Sequence, residues 1–167
     1  MGLLSFVKSA GERIFGKSDE EKAKEAAMEE AARRQAENVR RLKMAKALEN
    51  HVSAMGLEIE DASFSVQGGR VTVRGKVATQ EVSEKVALTV GNVADVEAVD
   101  NQLEVVTPEP EAVFYTVASG DTLSKIAKQH YGNAMKYPVI FEANKPMLEH
   151  PDKIYPGQVL RIPPIEG

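Results

Sequence analysis

The sequence predicts an α+β protein in which a helical N-terminal part is followed by two small mixed domains. Three observations favour this: a long stretch of helical composition, a β-hairpin pattern followed by a helix and a strand, and a C-terminal strand–helix–helix–strand pattern. The chain has 167 residues, of which 43% are hydrophobic, so it can form two compact cores. Its net charge of -4 argues against broad nucleic-acid binding, and the lack of cysteine excludes disulfides and thiolate metal sites.

The chain opens with a short apolar segment, MGLLSFVKSAGERIFG. Spacings of four, three and four residues place its apolar side chains on one helical face, at Leu3, Val7, Ala10 and Ile14. The segment does not fit a secretory signal, because Lys8 interrupts the apolar run and Glu12 and Arg13 follow. No run of about 18 apolar residues exists. We therefore expect a cytoplasmic protein with no membrane span.

A long helix follows this segment. Ser18 and Glu21 form a capping-box pattern, and the residues after them are rich in Ala, Glu, Lys and Arg with little to bury. Residues 1–38 are therefore predicted to be an N-terminal helical part whose charged half is a solvated helix or spacer. Beyond residue 39 the helix is predicted to pack on a core and to end at Gly56, with an apolar face of Leu42, Ala45, Leu48, Val52 and Met55.

Residues 39–106 predict a domain with the order helix, strand, strand, helix, strand. Gly68 and Gly69 supply a hairpin turn, and apolar residues alternate on both sides of it at Phe64, Val66, Val71 and Val73. Thr79 can cap the next helix, whose apolar face is Val82, Val86 and Val90. A strand follows with Val99, Leu103 and Val105. The Pro-rich acidic residues 107–112 predict a linker.

Residues 113–164 predict a strand, two helices and a returning strand. The first strand alternates at Val113, Tyr115 and Val117, and the first helix carries Leu123, Ile126, Ala127 and Tyr131 on one face. The second helix has Pro138 in its first turn, where a missing amide donor costs little. Four elements in about 50 residues form a small layered α+β domain.

Three stretches resemble known families. Residues 113–163 resemble a LysM domain in the stretches FYTVASGDTLSKIAKQHYG, ANKPM and YPGQVLRIP. The LysM family binds N-acetylglucosamine polymers such as peptidoglycan. VTVRGKV and VGNVADVEAVDNQL resemble a BON domain. Together with MGLLSFVKSAGERIF they resemble one narrow family, the small cytoplasmic bacterial potassium-binding proteins. The chain departs from that family in the charged helix over residues 17–41.

The resemblance implies a monomeric, non-catalytic potassium sensor or buffer with a role in stress responses. It places the ion on main-chain oxygens of Val7, Ala10, Gly91, Val93 and Val96. Neutral carbonyls can replace the water shell of K⁺, whereas carboxylates favour divalent ions. Helix C-termini leave such carbonyls unpaired. Without the resemblance, Gly91 and Asn92 would be interpreted as an ordinary helix C-cap. We also expect the ion to draw the N-terminal segment, the BON loop and the LysM domain together.

The alternative is an envelope protein that binds peptidoglycan through its LysM domain. Its glycan groove would be formed by Gly120, Asp121, Thr122, Asn144 and Pro146. Asp121 and Thr122 can equally cap the helix that begins near Leu123. The lack of an export signal and of Trp weighs against this alternative.

No enzyme class is indicated. The sequence has no cysteine nucleophile, no phosphate-binding loop and no paired catalytic acids. The three histidines lack zinc-ligand spacing and are expected at the surface or at helix ends, namely His51, His130 and His150.

Overall fold

The computed structural model describes residues 16–166, so the apolar N-terminal segment lies outside the described residues. Within that range the elements follow the predicted α+β order. No helix among residues 16–166 is both long and apolar enough to cross a bilayer. The elements are α1 (Asp19–Ala54), β1 (Glu60–Gln67), β2 (Arg70–Thr79), α2 (Gln80–Gly91), β3 (Ala98–Thr107), β4 (Val113–Thr116), α3 (Leu123–Tyr131), a 3₁₀ turn (Ala134–Lys136), α4 (Tyr137–Ala143) and β5 (Val159–Ile162).

The predicted capping box begins α1. The Ser18 amide donates to the Glu21 carboxylate at 2.9 Å, and the Glu21 amide donates to the Ser18 hydroxyl at 3.2 Å. Of the described residues, those from 16 to 40 belong to a first unit, and those from Arg41 onward form a second. Every described residue of the first unit is exposed. The charged half of α1 is thus the solvated helix that its composition predicted, with ion pairs one turn apart at Glu29–Arg33 and Glu30–Arg34.

The second half of α1 packs on a core through Leu48 and Val52, which are 3% and 2% exposed. The prediction for Leu42 was wrong, because its side chain is 71% exposed. Six residues of helix turn by about 240° relative to Leu48, so Leu42 falls outside the buried face. Met44 and Ala45 pack against the core in its place. The helix ends before Gly56, whose left-handed φ of 73° turns the chain toward β1.

A three-stranded sheet in the order β1–β2–β3 carries the core of the middle domain. β1 and β2 form the predicted antiparallel hairpin, with Val66 opposite Val71. β2 and β3 are parallel, with Val71 opposite Val99, and α2 is the crossover that this geometry requires. The Thr79 hydroxyl accepts from the Val82 amide and caps α2. The buried core consists of Leu48, Val52, Leu57, Val66, Val71, Val73, Val86 and Val90.

The C-terminal domain has its own core under a two-stranded antiparallel sheet. β4 pairs with β5 from Val113 opposite Ile162 to Thr116 opposite Val159. Pro138 lies in the first turn of α4, as predicted. The buried core consists of Val117, Leu123, Ile126, Ala127, Ile140, Leu148, Leu160 and Ile162.

A buried ion pair joins the two domains. Arg161 on β5 pairs through its Nε with the Glu84 carboxylate on α2, and these two side chains are 8% and 4% exposed. The second Glu84 oxygen accepts from the Ala112 amide at 2.9 Å, at the end of the predicted linker. The linker therefore ends on the middle domain, and the two domains are in direct contact through α2 and β5.

Candidate functional site

The candidate ion loop is the stretch from Gly91 to Val96, between the end of α2 and the start of β3. The Asn92 amide donates to the Leu88 carbonyl at 3.0 Å, and the Val93 amide donates to the Val90 carbonyl at 3.2 Å. Val93 in turn accepts from the Val96 amide at 3.2 Å. No main-chain hydrogen bond of the described loops ends on the carbonyl oxygens of Gly91 and Val96. The loop thus offers main-chain oxygens at the negative end of a helix.

Gly91 is the last residue of α2 and lacks a left-handed φ, so its backbone conformation does not require glycine. A Cβ on Gly91 would lie 3.4 Å from a Val99 methyl carbon, which is an ordinary van der Waals contact. The left-handed residue of the loop is Asp95, with a φ of 70°. The chain therefore reverses at Asp95, in the middle of the loop.

Asn92 holds the start of the loop. Its side-chain Nδ2 donates to the Leu88 carbonyl and to the Val159 carbonyl, both at 3.0 Å. Its Oδ1 accepts from the Val159 amide at 2.9 Å. One side chain thus binds the end of α2 and the peptide groups of β5.

The far end of the loop is held by the hairpin turn of the middle domain. The Glu97 amide donates to the Gly69 carbonyl at 2.7 Å, and the Ala98 amide donates to the same oxygen at 3.3 Å. The Glu97 side chain lies over Gly69, where a Cβ would come within 2.6 Å of it. Both ends of the loop are therefore anchored by hydrogen bonds.

The candidate ligands of the loop are main-chain oxygens, and Asp95 is the one charged side chain within it. Over residues 16–166 no group of three or more His, Cys, Asp or Glu side chains could hold a metal ion. His51, His130 and His150 consequently do not form a zinc site within that part of the chain. Main-chain oxygens suit a large monovalent cation better than a divalent one.

Three of the five predicted ion ligands, Gly91, Val93 and Val96, lie within this one loop of six residues. The carbonyl of Val93 already accepts the hydrogen bond from the Val96 amide. Val7 and Ala10 lie outside the described residues, so their predicted participation stays a prediction.

Of the predicted glycan residues, Gly120, Asp121 and Thr122 form the turn before α3. Thr122 is the helix N-cap, since its hydroxyl accepts from the Lys125 amide. Asp121 instead braces the turn: its carboxylate accepts from the Ala118 amide and from the Tyr115 hydroxyl, both at 2.8 Å. The Ala118 hydrogen bond, reinforced by that of Tyr115, lowers the pKa of Asp121.

Asn144 and Pro146 follow α4. The Asn144 side chain is buried, at 1% exposure, and donates to the carbonyls of Ile140 and Arg161 at 2.7 and 2.8 Å. Its Oδ1 accepts from the Arg161 amide at 2.7 Å. The peptide bond between Lys145 and Pro146 is cis. The amide of Asn144 is thus committed to β5, which is a structural role.

Sequence reasoning missed the side chain of Asn92 and the pair Glu84–Arg161. Asn92 was interpreted as a helix end, which is correct for its backbone. Its side-chain partner Val159 is 67 residues away, and Arg161 is 77 residues from Glu84. The local sequence carries no signal for such partners. The residue pattern of β5 indicated that a strand was present, but it did not indicate which side chains would bind to it.

Comparisons with known proteins agree with this architecture. The BON domain family matches residues 39–107, and the LysM domain family matches residues 115–163. The chain is 43% identical over 164 residues to Potassium binding protein Kbp of Escherichia coli O6:H1, covering 98% of this chain and 99% of that one. It is also 53% identical over 49 residues to an uncharacterized protein of Deinococcus radiodurans, covering 29% of this chain and 19% of that one.

Proposed function

Because this chain belongs to the family of Potassium binding protein Kbp, we propose that it is itself a potassium-binding protein. The near-complete coverage of both chains is the observation that carries the proposal, since it includes both domains together. Each domain alone belongs to a broader family and would not indicate potassium. A binding function also agrees with two domain families that are binding modules.

The chemistry of the Gly91–Val96 loop supports the proposal. K⁺ is large and singly charged, and a cage of neutral carbonyls can replace its hydration shell. The loop has main-chain oxygens at a helix C-terminus, where the peptide dipoles add partial negative charge. Its anchors at Asn92 and Glu97 limit how far these oxygens can move. A preorganised cage loses less entropy when the ion binds.

The finer proposal is that Gly91, Val93 and Val96 share the ion with the carbonyls of Val7 and Ala10. The apolar segment around Val7 then supplies ligands and closes the cage. The ion favours an arrangement in which this segment and the BON and LysM domains are together, because it binds that arrangement more tightly. The protein would act as a cytoplasmic sensor or buffer.

Calorimetric titration of KCl into desalted full-length protein tests ion binding directly, with NaCl at matched ionic strength as the control. Heat of binding and a smaller hydrodynamic radius are expected with KCl alone. An identical response to both salts would contradict a potassium site.

Deletion of residues 2–11 tests the cage. We expect the truncated protein to lose potassium binding, because two of its five ligands are gone. Circular dichroism and the midpoint of thermal unfolding without K⁺ should stay near those of the full chain, since the described domains have their own cores. A truncated protein that binds K⁺ as tightly as the full chain would overturn the assignment of Val7 and Ala10.

Peptidoglycan binding is the competing function, and cell fractionation with a peptidoglycan pulldown separates the two. The proposal expects the protein in the soluble cytoplasmic fraction and little retention on peptidoglycan. The burial of Asn144 supports this expectation, because its amide is already bonded to β5. Retention that is lost on Thr122→Ala would favour the glycan alternative.

A further inference from the structure

We propose that Asn92 is a positioning residue through which the LysM strand β5 sets the ion affinity of the Gly91–Val96 loop. The inference rests on the proposed potassium site and assigns its regulation. Asn92 would contact no ion through its side chain. It acts by holding the main chain on which the neighbouring carbonyls lie.

The contacts that carry the inference form a complete amide-to-peptide pairing. Oδ1 of Asn92 accepts from the Val159 amide at 2.9 Å, while Nδ2 donates to the Val159 carbonyl at 3.0 Å. The second proton of Nδ2 is directed to the Leu88 carbonyl, also at 3.0 Å. The side chain is half-buried and both of its donor hydrogens are used. Its position is therefore determined by α2 and β5 simultaneously.

This pairing completes the outer edge of β5. The inner edge of β5 pairs with β4, and no strand within residues 16–166 lies beside its outer edge at Val159 and Arg161. The Asn92 side chain binds the amide and carbonyl of Val159. The Asn144 side chain does the same at Arg161, accepting from its amide at 2.7 Å and donating to its carbonyl at 2.8 Å. Asn144 belongs to the LysM domain itself, whereas Asn92 belongs to the BON domain. One of the two asparagines that hydrogen-bond to this edge of β5 thus belongs to the candidate ion loop.

The buried pair Glu84–Arg161 holds the same two elements together, α2 and β5, without touching the loop. It offers a way to separate general domain contact from the specific effect of Asn92. Arg161 lies two residues beyond Val159, and Glu84 lies two turns of α2 before Asn92. A change at Glu84 weakens the junction and leaves every hydrogen bond of the loop in place.

Linkage converts this geometry into an effect on affinity. If the loop binds K⁺ only while Asn92 is paired with Val159, the apparent affinity is the intrinsic affinity multiplied by the fraction of molecules in which that pairing is formed. The two hydrogen bonds between Asn92 and Val159 are only half-buried; at about 0.7 kcal/mol net each, in the lower part of the usual range, their loss changes an equilibrium constant by about tenfold. The coupling is reciprocal, so bound ion must also stabilise the pairing between Asn92 and Val159.

The first test is titration of KCl into the full-length wild type, Asn92→Ala and Glu84→Gln. We expect Asn92→Ala to bind K⁺ about tenfold more weakly. Glu84→Gln retains an acceptor for the Ala112 amide and should weaken K⁺ binding less than Asn92→Ala does, because the pairing between Asn92 and Val159 remains. Equal affinity of Asn92→Ala and wild type would refute the inference. A wild type that shows no potassium response would refute the proposed function instead.

The second test needs no variant and remains decisive if Asn92→Ala does not fold. Amide hydrogen exchange of wild-type Val159 is measured by NMR in KCl and in NaCl at matched ionic strength. Reciprocal coupling predicts slower exchange of the Val159 amide in KCl, by about tenfold near saturation. The Leu160 amide, on the β4 side of the strand, is the internal comparison and should change less. Exchange at Val159 that K⁺ leaves unchanged, in a protein that binds K⁺, would overturn the inference.

Discussion

Replacement of Asn144 by alanine is predicted to be among the most damaging single changes in the LysM domain. The side chain is 1% exposed and makes three hydrogen bonds, at 2.7, 2.8 and 2.7 Å. Alanine removes all three and leaves the buried peptide of Arg161 without the partner that Asn144 supplied. A role in sugar binding would predict lost ligand affinity with little change in stability.

The size of the effect follows from the hydrogen-bond count. A typical intramolecular hydrogen bond contributes about 1 kcal/mol net, so three correspond to about 3 kcal/mol. The unsatisfied amide and carbonyl of Arg161 and the vacated volume act in the same direction. A protein of this kind is stable by about 5–15 kcal/mol, so the loss is a large fraction of the total.

Urea unfolding followed by circular dichroism measures this loss, and Asn133→Ala is the matched control. Asn133 is exposed and makes one capping hydrogen bond, from the Met135 amide at 2.9 Å. Its replacement should cost about 1 kcal/mol. If Asn144→Ala lowers the free energy of unfolding by no more than Asn133→Ala, the three hydrogen bonds of Asn144 do not contribute about 3 kcal/mol to the stability of the domain.

Two further predictions concern the turn at Asp121 and the glycine Gly75 inside strand β2. Hydrogen bonds from Ala118 and Tyr115 lower the pKa of Asp121 below its usual value of 3.8. The charged carboxylate therefore stabilises the fold at a pH above 3.8. This stabilisation is lost as the pH falls through the lowered pKa. Asp121→Ala should therefore be less stable than wild type at pH 7 in thermal melts, with a gap that narrows as the pH falls below 3.8; a gap independent of pH would contradict this. Gly75→Ala should destabilise the fold by about 2 kcal/mol or more, because φ is 139° and a Cβ would lie 2.5 Å from Ile59 Cγ2. Gly68→Ala, with a left-handed φ of 59° and open space around it, should cost only about 1–2 kcal/mol, and an equal loss would argue against the clash.

Local patterns predicted the secondary structure well. The capping box at Ser18, the hairpin turn at Gly68 and the Thr79 cap all appear where their patterns placed them. Each depends on residues at most a few positions apart, where backbone geometry alone determines which side chains meet. Leu42 shows the limit of this approach: it follows the helical spacing approximately, yet it lies on the exposed side of α1.

The candidate ion site stays a prediction. The loop from Gly91 to Val96 came from a family resemblance, and its place at the end of a helix agrees with the proposal that it holds a cation. Gly91 ends α2 without a left-handed φ, so the structure does not use the backbone freedom of glycine at this position. The glycan residues were predicted as a surface groove, yet the amide of Asn144 is bonded to β5.

By itself, the sequence determined the α+β class, the order of elements and the two domain families. These follow from periodicity, turn residues and motifs, which act over short distances along the chain. Only the tertiary structure decided that Asn92 pairs with Val159 and that Glu84 pairs with Arg161. Such partners are 67 and 77 residues apart, and nothing in the pattern around either residue specifies the other. They meet because the folded domains bring α2 against β5, where buried polar groups require partners.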